Sequence, residues 1–447
     1  MVSREARHLL VTLGGLVALG ALPGSGFPQV ESERDPADDE ERIADAIVAA
    51  QAVEGPRSPA QIQLLTELGV LYETEGRHTL ATTALEQARQ LVRENYGLYT
   101  LEQVPLLQQA LANQQALGNL AMVQAIEEEL LGLAERHRDD LRTVTIHRDA
   151  GRRRLDILRR LLAGEAPGEV YPETGFYSFF KDDVIMELVS DAQIHSADAA
   201  AVILRNGLYS SDELRDLEME IVRASDLLRQ RSLPSRHSLY SDYDDSFYNA
   251  QLEGRTNALS HLAGFPAPQG EEQRLLTDGM TSLYEVGRES YRRLIAYDDM
   301  AFGSAAEEAA LRSRLEAYLR LADWDLIYSK NGAALDQYAR VHELLTTTDF
   351  AKPLIAAIFA PPIPTVLPTF VPNPLETLAS ARYIDVAFEV TRFGESRRIE
   401  IVSAAPNVSD AAKKELAALI RDSRFRPRVV DGELARVSPV AVRYYLN

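Results

Sequence analysis

Six prolines fall within the fourteen residues from Pro361 to Pro374, and they split this chain into two folding regimes. A helix cannot run through them, because each proline lacks an amide proton and its ring blocks the preceding turn; stiff, extended backbone is what remains. Upstream of this segment apolar residues recur mainly at helical spacing, and downstream they alternate. Residues 351–379 are therefore expected to be a proline-rich linker. The chain reads as multidomain and mostly α, with a small α+β domain at its C-terminal end.

In the upstream part, the acidic run ESERDPADDEER lies at 31–42, and 27–57 reads as an acidic linker held in solvent by its charge. A helical pattern starts after Ser58-Pro59, a suitable cap and first-turn proline. From there Leu65, Leu68, Gly69 and Tyr72 occupy one helix, Gly76 a turn, and Ala81, Leu85 and Ala88 a second helix. Gly69 and Ala81 permit close helix approach, while Tyr72 and Leu85 fill the groove between. This spacing resembles a tetratricopeptide repeat. A related hairpin uses Leu107, Ala110 and Leu111, the turn at Gly118, then Val123 and Leu130. Residues 58–160 thus read as tetratricopeptide-like α-hairpins and 161–304 as a helical middle region with loops. In 305–350 a further hairpin runs from Leu315 and Trp324 through the Asn331-Gly332 turn to Tyr338 and Leu345. Such hairpins bury their apolar faces only against neighbours, which implies a continuous array.

Beyond the prolines, Ile384, Val386, Phe388 and Val390 point to one side of a strand, with Tyr383, Asp385, Ala387 and Glu389 on the other. A turn at Phe393-Gly394-Glu395 leads to a second strand, with Ile399 and Ile401 inward. Ser409 is placed to cap a helix whose stripe is Ala412, Leu416, Leu419 and Ile420. After Phe425-Arg426-Pro427 and an Asp431-Gly432 turn, the last strand sets Val440, Val442, Tyr444 and Leu446 toward the core. The expected order is β-β-α-β.

Residues 380–447 resemble the C-terminal domain of the TonB energy-transducer family. The resemblance rests on Val386-Ala-Phe-Glu-Val390 with Gly394, Ile401-Val-Ser403, Ala411-Ala412, Phe425-Arg-Pro427, Gly432 and Val442-Arg-Tyr444. It implies a domain facing the bacterial periplasm, with a sheet edge able to pair with an extended peptide. The joint is shorter than the long proline-rich spacer of that family, and the Tyr-Pro element leading into the domain is missing. An envelope adaptor is favoured on those grounds over a true transducer.

The N-terminus adds an address. Arg4 and Arg7 precede the apolar run Leu9–Leu22, whose fourteen residues suit a signal peptide and fall short of the roughly 20 that span a bilayer. Residues 1–26 are read as a signal peptide, with a retained membrane anchor as the alternative. This places the protein in the periplasm, or on the inner membrane facing it. With 47 basic and 67 acidic residues the net charge is -20, which excludes bulk nucleic-acid binding. Residues 380–447 hold twelve basic and nine acidic side chains, so the rest of the chain carries -23.

Arg421, Arg424, Arg426 and Arg428 cluster in sequence about the Phe-Arg-Pro turn. They are candidate contacts either for an acidic partner or for the chain's own acidic body, and Tyr445 is a candidate contact on the last strand. No cysteine is present, and neither a nucleophile elbow, a zinc-protease motif nor a phosphate loop occurs. His237 with Asp242, Asp244 and Asp245 lacks the glycine and terminal glutamate of a calcium loop, and His195 and His261 have no partner nearby in sequence. Catalytic residues, metal ligands and cofactors are all expected to be none. The expected function is a non-enzymatic envelope scaffold whose partner is an envelope protein or peptide. The alternatives are a TonB-like transducer coupled to an outer-membrane transporter, and an envelope hydrolase with its site in the middle helical region.

Overall fold

Helix formation begins earlier than the charge pattern predicts. The computed structural model describes residues 36–165, 181–230, 279–302, 308–347, 352–361, 364–367, 382–430 and 433–445. Its first helix, α1 (Pro36–Glu54), covers most of the segment expected to be an acidic linker. Ile43 is buried and Ile47 packs against the core formed by the next hairpin, while Tyr72 donates to Glu40 at 2.8 Å and Arg77 pairs with the same carboxylate. The apolar i, i+4 pair on one face outweighs the acidic residues on the other.

The chain divides into two units, at Leu22–Thr277 and Asp278–Asn447. The first is helical throughout its described residues: α2 (Ala60–Thr74), α3 (His78–Tyr96), α4 (Val104–Ala116), α5 (Leu120–Arg136), α6 (Thr143–Ala163), α7 (Lys181–Arg205) and α8 (Asp212–Gln230). Consecutive helices pack as hairpins. At Gly69 a β-carbon would lie 2.9 Å from Leu85 Cδ2, the close approach expected between α2 and α3. Leu65, Leu85, Ala88 and Leu106 form one core; Leu107, Leu111, Ile126, Leu130 and Ile146 form the next. Between α3 and α4, Asn113 donates to the His78 carbonyl and to Thr82 Oγ1, both at 2.8 Å.

The second unit starts with α9 (Gly279–Phe302), α10 (Glu308–Ile327), α11 (Asn331–Thr347) and α12 (Lys352–Phe359). Trp324 is core, as its position in the hairpin predicts. Its Nε1 donates to the Tyr284 carbonyl at 2.9 Å, and its ring lies where a β-carbon on Gly287 would stand, 2.3 Å from Cζ2. The α10–α11 turn differs from expectation: Ser329 takes the left-handed conformation (φ 59°), and Gly332 lies inside α11.

Among the described residues seven strands follow, with one helix among them: β1 (Val366–Leu367), β2 (Tyr383–Val390), β3 (Ser396–Ala404), α13 (Asp410–Asp422), β4 (Arg424–Phe425), β5 (Arg428–Val430), β6 (Glu433–Ala435) and β7 (Val437–Tyr445). The main sheet has the order β3-β2-β7, antiparallel throughout; β1 pairs with β4, and β5 with β6. Ile384, Val386, Phe388 and Val390 are buried, as the alternation requires, and Leu416 and Ile420 of α13 join their core. Ser409 Oγ accepts from the Ala412 amide at 3.2 Å, closing the first turn of α13. Leu419, expected on the inner stripe, is instead 64% exposed, because the i, i+4 pair Leu416–Ile420 already fills the contact with the sheet. Leu446 and the Asp431-Gly432 turn lie outside the described residues. The result is a mostly α-helical protein with a small C-terminal α+β region.

Candidate functional site

The Phe425-Arg426-Pro427 segment is where the terminal sheet meets the helices of its own unit. The Phe425 ring is buried against Phe388, with centroids 5.1 Å apart, and its amide donates to the Gly394 carbonyl at 2.9 Å. Gly394 has φ +72°, and a β-carbon there would stand 2.3 Å from the Phe425 carbonyl oxygen. Only glycine meets both demands.

The next residue turns the other way. The Arg426 guanidinium straddles the Asp323 carboxylate of α10, with Nε donating to Oδ1 at 3.0 Å and Nη2 to Oδ2. Tyr338 of α11 donates to the same Oδ1 at 2.8 Å. The two charged side chains are 11% and 8% exposed. Burial works against the Arg426 charge, but the Asp323 carboxylate outweighs it and holds the guanidinium above its ordinary value. Burial and the neighbouring Asp323 charge push the Tyr338 hydroxyl well above its usual range. A bidentate buried pair of this kind fixes orientation as well as proximity.

Around that pair the proline-rich segment is drawn into the packing. The Arg426 amide donates to the Thr365 carbonyl at 2.8 Å, and Leu367 is buried with Leu326, Tyr338, Leu345, Phe359 and Val429. The described part of the expected linker is therefore a structural seam between helices and strands.

The other sequence-derived candidates are dispersed. Arg421 is exposed in the last turn of α13, where a cation complements the helix dipole. Arg424 is half-buried and pairs through its backbone with Leu367, and Arg428 is half-buried opposite Ala435. Tyr445 lies opposite Tyr383 in the β2–β7 register. Of the four arginines, Arg426 is taken up by the chain's own acidic helix, one of the two roles the sequence allows.

Among the described residues β3 and β7 are the edge strands of the sheet, and they are unlike one another. Against β2, β3 slips register between Asp385 and Val386 and again between Ala387 and Glu389, and Arg398 has φ 52°. Such bulges discourage strand addition. On the opposite edge, Val440 to Tyr445 pair with Phe388 to Tyr383 without a slip, and the irregularity is confined to the stretch around Pro439. Across the outer face runs a polar rung: Ser403 donates to Asp385 Oδ2 at 2.6 Å, and Arg443 binds the same carboxylate at 2.7 and 2.9 Å while lying 4.0 Å over the Tyr383 ring. Hydrogen bonds from Arg443 and then Ser403 lower the Asp385 pKa to about 2.

His237 and its aspartates, and His261, lie outside the described residues. His195 does not stand alone: α6 brings His147 beside it, with ring centroids 6.1 Å apart, a pairing that nothing local in the sequence signals. A cleft of about 190 Å³ between α4, α5 and α6 is lined by Gln108, Leu111, Ile146, Asp149 and Arg153. Among the described residues no helix is long and apolar enough to cross a membrane. Set against known proteins, the chain matches no family model, and no curated protein matches it.

Proposed function

We propose that this protein is a non-enzymatic interaction scaffold of the bacterial envelope, whose terminal sheet takes up an extended segment of a partner along β7. The observation that carries the reading is the unslipped backbone of Val440–Tyr445 on a sheet edge, opposite an edge that is bulged twice. Strand addition draws affinity from such a row of backbone donors and acceptors, and selectivity from the alternating side chains beside it. The main sheet draws on β2, β3 and β7 with α13 between β3 and β7 in the chain, which supports the TonB-like reading of residues 380–447, although the short strands β4, β5 and β6 are additions to the expected β-β-α-β order. The paired helices and the Gly69–Leu85 approach support the tetratricopeptide-like reading of the hairpins, whose cleft between α4, α5 and α6 would serve a second partner. The apolar N-terminal run supports a periplasmic address.

The absence of cysteine makes the test direct, since one introduced thiol is the only one in the chain. Ala441→Cys on β7 and Val402→Cys on β3, both at exposed positions, are labelled with a photoreactive probe in full-length protein expressed in cells. A discrete adduct from position 441 and none from 402 is expected. Equal labelling at both edges, or no adduct at 441, overturns the reading.

A further inference from the structure

The contacts between α6 and α7 run antiparallel: Asp139, just before α6, receives Arg205, Gly151 lies against His195, and Arg154 lies 3.6 Å from Asp191. Gly151 sets how near the two helices come. A β-carbon there would be 3.3 Å from both the Ala192 carbonyl and Ser196 Oγ, and 3.5 Å from His195 Cβ. One turn before Gly151 on α6 stands His147, and one turn after His195 on α7 stands Asp198. Spacings of four and three place each pair on one helical face. The antiparallel register then carries His147 toward His195 and Asp198 together. One ligand atom from each of His147, His195 and Asp198 lies within 4.8 Å of the other two. All three residues are partly buried, and Nδ1 of each histidine is shielded from solvent.

We propose that His147, His195 and Asp198 bind a divalent transition-metal ion of the zinc class, which clamps α6 to α7. The donor set argues for that class: two imidazole nitrogens and one carboxylate suit zinc and its neighbours, whereas calcium and magnesium take oxygen-rich shells. With Zn–N bonds of about 2.0–2.1 Å, tetrahedral ligand atoms stand roughly 3.4 Å apart, a separation inside the 4.8 Å within which the three donors already lie. Three protein ligands leave a fourth position for water. Because the ligands come from two helices, the ion holds the folded arrangement more tightly than the unfolded chain and raises its stability by mass action.

The full-length chain, stripped with chelator and dialysed against Zn²⁺, is assayed by elemental analysis and thermal unfolding, with Mg²⁺ as control. One zinc per chain and a higher Tm with Zn²⁺ but not Mg²⁺ are expected. Asp198→Asn and His147→Gln should each weaken zinc binding by more than about 100-fold, beyond the losses typical of outer-shell changes. Less than a fifth of an equivalent in the unmodified chain, or equal uptake by folded variants, overturns the proposal and leaves a packed His–His–Asp cluster. Should both variants misfold, ¹⁵N-histidine spectra of the unmodified chain decide it. Zinc must perturb two of the eight imidazoles, and unchanged spectra refute the site.

Discussion

The helical unit at 22–277 and the mixed unit from Asp278 onward are stabilised on different length scales. In the first, each helix packs on the one beside it: Gly69 against Leu85, Asn113 against Thr82, Gly151 against His195. In the second, a decisive contact joins Arg426 to Asp323, 103 positions away, and the core of α10 and α11 includes Leu367 and Val429 from the strands. A stack of neighbours tolerates local loosening, because each interface is one of several similar ones. A seam closed by one buried ion pair does not: if one partner goes, an uncompensated charge remains in the interior.

That contrast can be broken most forcefully at Asp323. Asp323→Ala should cost about 3–5 kcal/mol in urea unfolding by stranding Arg426. The double variant Asp323→Leu/Arg426→Met should recover more than half of that loss, since apolar replacement removes both charges. A double variant as unstable as the single one would show that the seam depends on the ion pair's hydrogen bonds rather than on avoiding a lone charge.

Gly394→Ala comes next, at about 3 kcal/mol. It adds left-handed backbone strain to a methyl forced against the Phe425 carbonyl. Gly69→Ala in the helical unit should cost only about 1–2 kcal/mol, because the atoms in its way are the end of the flexible Leu85 side chain. Equal losses at Gly69 and Gly394, read by the same denaturation midpoints, would erase the difference between the units.

The smallest effect concerns the exposed rung on the sheet. The pKa of Asp385 is lowered to about 2, below the roughly 3.9 of an unfolded aspartate. Its contribution is therefore full above the unfolded value and disappears as pH falls through about 2. The gap in urea midpoint between the unmodified chain and Asp385→Asn should narrow from pH 5 to pH 2.5; a gap that widens on acidification would contradict the assignment.

Local features were readable in the amino-acid order. The alternation from Ile384 to Val390 gives β2, Ser409 starts α13, and the small residue at Gly69 permits the α2–α3 approach. Each of these is decided within a few residues by periodicity or capping. Other features carry no such signature. The helix at Pro36–Glu54 is hidden by the acidic run that opens it, although Ile43 and Ile47, four residues apart, mark its packed side. The engagement of Arg426 depends on which carboxylate the tertiary fold brings to it, and nothing near the Phe-Arg-Pro turn identifies Asp323. Asp198 stands one helical turn from His195, a partner the sequence reading passes over, and His147 lies 48 positions before His195 and meets it only through the register of α6 against α7.

Because β1, which lies within the proline-rich segment, is bonded to β4, and β2 to β7, the strands on either side of residues 368–381 belong to one and the same body. A pull on β1 is therefore borne by the β1–β4 bonds and the Arg426 seam. The terminal sheet is thereby moored to α10 and α11.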